Sequence, residues 1–142
     1  MRKIVLLIVG IVLTFTTTAK KKDLKAITNV LAVQAAEWNK GNVAAYMKGG
    51  YWENDSLLFI GSKGPVYGYE PTLKNYLRSY PDAAHTGHLT LTLLNSKRLS
   101  AKYYFVVGKW QLERSAGNVG GYFTLLFKKV KRHWVIIADH SS

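Results

Sequence analysis

From His88 to Asp139 the chain reads HLTLTLLNSKRLSAKYYFVVGKWQLERSAGNVGGYFTLLFKKVKRHWVIIAD. β-Branched and aromatic residues recur in four runs, Leu89 to Leu94, Tyr103 to Arg114, Tyr122 to Val130 and Trp134 to Asp139, each bounded by turn-forming or charged residues. Runs of that length and composition are strands. Gly117-Asn118 and Gly120-Gly121 supply residues that tolerate positive φ in a tight reversal, and Lys131-Arg132-His133 makes the last turn. The second half is therefore predicted to be an antiparallel meander.

Upstream the period changes. Leu24, Ile27, Val30, Leu31, Ala35 and Trp38 follow the three-and-four spacing of an amphipathic helix over Asp23 to Asn39, with Gly41 just past its end and Gln34 on the same stripe. Asn42 reads as the N-cap of a second helix, Val43 to Lys48, stopped by Gly49-Gly50. Leu57 to Ile60 reads as a short strand, and Gly64 to Gly68 as a turn or an edge piece. Pro71 suits the first turn of a third helix carrying Leu73, Tyr76, Leu77 and Tyr80 on one face. Helices first and a meander afterwards is an α+β order.

The first nineteen residues have the three parts of a secretory signal: Arg2-Lys3, an uncharged run from Ile4 to Phe15, then Thr16 to Ala19. The run is shorter than the ~20 apolar residues of a membrane-spanning helix. Residues 1–19 are expected to be cleaved or to stay as an anchor, and both place residues 20–142 outside the cytoplasm as one domain. The chain has no cysteine, so neither a disulfide nor a thiol nucleophile is available. The net charge of +12 includes Arg2 and Lys3. The remaining basic residues are dispersed, with short clusters at the expected terminus and turns, which speaks for a solvated exterior and against nucleic acid as a partner.

Several segments together carry a family resemblance: Trp38 with Gly41-Asn42; Tyr51 to Ser56; Phe59-Ile60-Gly61 and Tyr67-Gly68; Gly108 to Leu112; Gly121 to Leu125; and the ending Trp134 to Ser141. They resemble the nuclear-transport-factor-2-like superfamily, which also holds ketosteroid isomerases and polyketide cyclases, over Leu24 to Ser142. The resemblance implies N-terminal helices packed on a strongly curved antiparallel sheet, forming a cone with a pocket, and commonly a homodimer. In the isomerases an acid on the first strand takes a proton while a helix-1 tyrosine and a second acid hold the oxyanion. Here Leu57 to Gly61 has no carboxylate, and the helix-1 stripe has Gln34 and Trp38 in place of tyrosine. Steroid-isomerase chemistry is thus not expected.

Strand alternation sorts the candidate site residues. It puts Trp110, Leu112 and Arg114 on one face, Tyr122, Thr124 and Leu126 on one face of the next strand, and Asp139 with Val135 and Ile137, opposite His140. Trp38, Trp52, Tyr76, Trp110 and Tyr122 are expected as aromatic walls for an unidentified small molecule, with Gln34, Tyr80, Arg114 and Thr124 also on the ligand-binding side. Asp139 is the expected polar anchor, its carboxyl raised by burial and lowered by a nearby cation such as Arg114. Three readings follow: a small-molecule-binding domain, an isomerase- or cyclase-type enzyme using Asp139 or His140 for proton transfer, and a protein-interaction module working through the sheet. His85-x-x-His88 lacks a third metal ligand in the local spacing, and no phosphate loop or serine elbow is present, so neither metal nor cofactor is expected.

Overall fold

A computed structural model describes residues 2–142, with side chains from residue 17 onward. The leader expected at 1–19 thus lies, as far as residue 16, outside the described side chains. Among the described residues no helix is long and apolar enough to cross a membrane.

Helix α1 (Arg2–Asn39) starts upstream of the predicted Asp23 and ends where predicted. Lys20, Lys21 and Lys22 are good helix formers, so nothing breaks the helix before Asp23. From residue 17 onward its buried positions are Asp23, Ile27, Leu31, Gln34 and Trp38, a single face at three-and-four spacing. Gly41, at φ +78°, ends the helix in the left-handed conformation, with Gly41 N–H bonded to Trp38 O and Asn42 N–H to Glu37 O. Asn42 then caps α2 (Val43–Gly50) by accepting from Ala45 N–H at 2.9 Å.

The sheet has six strands: β1 (Leu58–Gly61), β2 (Gly64–Tyr67), β3 (His88–Arg98), β4 (Tyr103–Glu113), β5 (Val119–Val130) and β6 (His133–Ser141). Their spatial order is β2-β1-β6-β5-β4-β3. The predicted meander is β3 to β6, and the Gly64–Gly68 piece proves to be an edge strand. One pairing departs from the antiparallel expectation, because β1 runs parallel to β6. Helix α3 (Tyr69–Ser79) sets Tyr76 inward, whereas Leu77 is 47% exposed and does not belong to the buried face assigned to it. A one-turn helix not read from the sequence, α4 (Ala83–Thr86), is capped by Asp82.

Helix α1 packs on α2, β3 and β6, giving the helix-on-sheet cone. Its C-terminal end is tied down by Asn39, whose amide accepts from Leu89 N–H at 2.7 Å and donates to Leu89 O at 3.1 Å. At the other end Asp23 accepts from Lys129 Nζ at 2.9 Å and Trp134 Nε1 at 3.3 Å, with Arg98 Nε at 3.8 Å.

Two bulges bend the sheet. Leu94 is left without a partner between Leu93 and Asn95, and Ile137 between Ile136 and Ala138. The second corrects the face assignment on β6. Past Ile137 the alternation is shifted by one residue, so Asp139 is buried on the same side as Trp134 and Ile136, and not with Val135 and Ile137. The β5 assignment is corrected as well. Phe123, Leu125 and Phe127 face inward, so Tyr122 and Thr124 point out. Gly108 lies opposite Phe123, and a Cβ there would overlap the Phe123 ring, so this pairing admits an inward aromatic only beside a glycine.

Candidate functional site

A cavity of about 310 Å³ lies between the C-terminal half of α1, α2, α3 and the inner sheet face, within the usual size range of small-molecule sites. Leucines and isoleucine from α1 and the sheet form its floor, and the walls are aromatic: Trp38, Tyr46, Tyr51, Phe59, Tyr76, Tyr80 and Trp110. These rings support one another edge to face. Trp38 sits 4.9 Å from Tyr46 and 4.7 Å from Tyr80, while Tyr76 stacks on Tyr80 at 5.9 Å. Trp38 is also fixed in place by its Nε1, which donates to Thr86 O at 2.9 Å.

Asp139, 4% exposed, is the acid of this cavity. Tyr51 donates to its Oδ2 at 2.5 Å and Ser141 to its Oδ1 at 2.7 Å. The Tyr51 hydroxyl also lies 3.4 Å from that of Tyr46 and 3.3 Å from that of Tyr76. A hydroxyl has one proton, and Tyr51 gives its own to Asp139, so Tyr46 and Tyr76 donate to Tyr51. The result is a fan of tyrosines in which Tyr46 and Tyr76 converge on the Tyr51 hydroxyl, and Tyr51 alone donates to the carboxylate.

Burial drives the electrostatics. Desolvation raises the Asp139 carboxyl to about 6, against the opposing pull of the Tyr51 and Ser141 hydrogen bonds and the charge of His140. Tyr46 is pushed up to about 12 by burial and by the Asp139 charge. Tyr51 and Tyr76 are raised well above the usual phenol value, again by burial first. All three hydroxyls therefore keep their protons at physiological pH and serve as donors. The carboxylate keeps unfilled lone pairs for a ligand, and its pKa lies close enough to neutrality for it to take up and release a proton.

Of the residues singled out from the sequence, Gln34, Trp38, Tyr76, Tyr80, Trp110 and Asp139 line the cavity. Gln34 is buried, and its amide donates to Tyr46 O at 3.3 Å. Five do not line it. Trp52 lies outside, with Lys128 Nζ 5.0 Å over its ring. Tyr122 is 58% exposed, and Thr124 lies on the outer face opposite His140. His140 is itself exposed, one residue beyond Asp139 and on the other side of the sheet. Arg114 holds the β4–β5 turn by donating from Nε to Gly117 O at 2.5 Å, and reaches His85 O at 3.4 Å. Its charge acts on Tyr80, whose hydroxyl it lowers against the effect of burial, and not on Asp139. His85 pairs with Asp82 at 2.6 Å on α4, and His88 is exposed at the start of β3.

Sequence reasoning did not assign Tyr51, Phe59 or Ser141 to the site, and it counted Tyr46 among the aromatic residues of segments expected to meet without naming it as a wall. Gly49-Gly50 before Tyr51 was the available signal. A Cβ on Gly50 would overlap the Gln34 side chain, so this glycine lets the chain pass close to α1 and deliver Tyr51 beside β6, where it bridges to Ile136.

The chain is similar to an NTF-2-like protein of unknown function from Shewanella oneidensis MR-1, with 39% identity over 84% of this chain and 98% of that one, and a TM-score of 0.80. It is similar to a nuclear transport factor 2 (NTF2-like) superfamily protein from Salmonella enterica serovar Typhimurium LT2 at 18% identity, covering 89% and 92%, with a TM-score of 0.67. A ketosteroid isomerase-like protein from Erwinia carotovora atroseptica SCRI1043 matches at 15% identity, covering 84% and 95%, with a TM-score of 0.65. The last two likenesses are of fold alone. No protein-family model matches the chain, and no curated protein matches it.

Proposed function

Because the chain belongs to the nuclear-transport-factor-2-like family, a fold that provides a pocket without prescribing its chemistry, we propose that it binds a small, flat organic molecule between its aromatic walls and holds the molecule's polar group at Asp139. The observation that carries this reading is a buried carboxylate, oriented by Tyr51 and Ser141, at the wall of an aromatic cavity. Orientation before binding lowers the ordering entropy that the site itself must give up. A second reading, proton transfer of the isomerase or cyclase type, is favoured by the Asp139 carboxyl being raised to about 6. In it Asp139 is the base and the tyrosine fan steadies its charge. The outward position of His140 leaves it no part in either reading. The leader-like order of residues 1–19 supports placing this activity outside the cytoplasm. Exposed Phe105 and Tyr122 on the outer sheet face support pairing of two copies.

Native mass spectrometry of the full chain, expressed and recovered from the cell envelope, tests these points together. The expected result is a dimer of residues 20–142 that releases a stoichiometric small molecule on denaturation. Retention of that molecule is expected to be lost in folded Asp139→Asn and Trp110→Ala variants. An empty cavity, with both variants indistinguishable from the parent, overturns the binding reading, and a monomer mass overturns the pairing.

A further inference from the structure

The charges around the cavity are arranged in two zones. Its mouth is built from the β1–β2 turn, with Ser62 and Lys63, and the C-terminal half of α3, with Asn75, Arg78 and Ser79. Lys63 and Arg78 are exposed there, and among the described residues neither pairs with a carboxylate. Arg78 donates to the Asn75 side-chain oxygen, which steadies the guanidinium while leaving further N–H groups for an incoming acceptor. Asp139 is the one acid among the lining residues, and it is buried with hydroxyls against it, while the charge that acts on it, His140, lies on the outer face of the sheet. The two zones select in opposite senses. A cationic ligand meets two like charges on entry, and an anionic group carried inward meets a buried carboxylate of like charge, which is costly.

Resting on the ligand-binding reading above, we propose that the occupant is a two-ended aromatic anion: a flat apolar body, an acidic group held outward between Lys63 and Arg78, and a neutral hydrogen-bond donor, such as a hydroxyl, turned inward to Asp139. The aromatic walls accept the body, and the free lone pairs of Asp139 accept the donor.

The probes are 6-hydroxy-2-naphthoate, which has both ends, 2-naphthol, which lacks the acid, and naphthalene-2,6-dicarboxylate, which is acidic at both ends. Each is titrated into the full-length protein and followed by fluorescence. The hydroxynaphthoate is expected to bind about fivefold tighter than 2-naphthol, the scale of two solvent-screened ion pairs. Replacing both mouth cations, Lys63→Ser with Arg78→Ser, is expected to remove that preference and leave 2-naphthol binding unchanged. The dicarboxylate is expected to bind weakest to the parent and to gain roughly tenfold in Asp139→Asn, where the like charge is gone. If 2-naphthol binds as well as the hydroxynaphthoate, or if the mouth variant keeps the preference, the anionic-ligand inference is overturned while the pocket reading stands. If none of the three binds, both fall.

Discussion

At the scale of single residues, Asp139 carries the clearest consequence. Burial raises its carboxyl from 3.8 to about 6, so between these values the folded state binds more protons than the unfolded one. Stability contributed by this group is therefore fully present below about pH 4 and is lost as pH rises through 6. The gap corresponds to about 3 kcal/mol. Urea unfolding of the parent and of Asp139→Asn at about pH 3 and pH 7 measures it. On going to pH 7, the difference in stability is expected to move by about 3 kcal/mol in favour of the asparagine variant. Parallel pH dependence of the two proteins would refute the assignment. Asp139 was legible as a candidate because it stands alone as an acid near the end of a β-rich run. Its hydrogen-bond donors were not, since Tyr51 is 88 residues away in sequence and only folding brings it to 2.5 Å.

At the scale of elements, the faces of β5 and β6 decide what the cavity contains. Alternation is a sound rule along a regular strand, and it placed Trp110 and Leu112 of β4 on the inner face where they are found. It failed on β6 because one unpaired residue, Ile137, reverses every side chain after it. On β5 it grouped Tyr122, Thr124 and Leu126 on one face, as they are found, but that face is the outer one, because two faces of similar hydrophobicity, Tyr122 with Leu126 and Phe123 with Leu125, are told apart only by the neighbour. Gly108 across the strand makes room for the Phe123 ring. Replacement of that glycine tests this packing. Gly108→Ala is expected to cost about 1–3 kcal/mol by overpacking and to weaken 2-naphthol binding by moving Phe123 into the cavity it lines. Chemical denaturation and the same fluorescence titration read the two effects. An unchanged midpoint would show that the ring is not held as described.

At the scale of the whole molecule, the cone has a ligand end and a structural end. Asp23 sits at the structural end, where it joins α1 to β5 and β6 through Lys129 and Trp134, while Trp134 packs edge to face on Tyr104 at 5.4 Å. None of these residues lines the cavity. Asp23→Ala is expected to cost about 2 kcal/mol, because it leaves buried donors and a cation without their acceptor. Probe affinity is expected to change by less than about twofold, as for sites with no shared partners. Thermal unfolding with parallel titration checks this, and a large loss of affinity at full stability would show that the two ends are coupled.

The sequence by itself determined the class of the protein. Helical spacing over Asp23 to Asn39, caps at Gly41 and Asn42, and four strand-like runs after His88 specify α1, α2 and the meander, because local periods and turn residues are properties of neighbours in the chain. The aromatic residues that line the site were partly legible for the same reason: Trp38 lies on the apolar stripe of α1, and Trp110 alternates with Leu112. Tertiary structure alone decided the rest. The parallel β1–β6 pairing, the bulge at Ile137 and the clearance at Gly50 and Gly108 depend on residues far apart in sequence. Together they place three tyrosines and Ser141 around Asp139 and leave His140, Tyr122 and Thr124 outside, because which way a side chain points is set by the partners its strand meets.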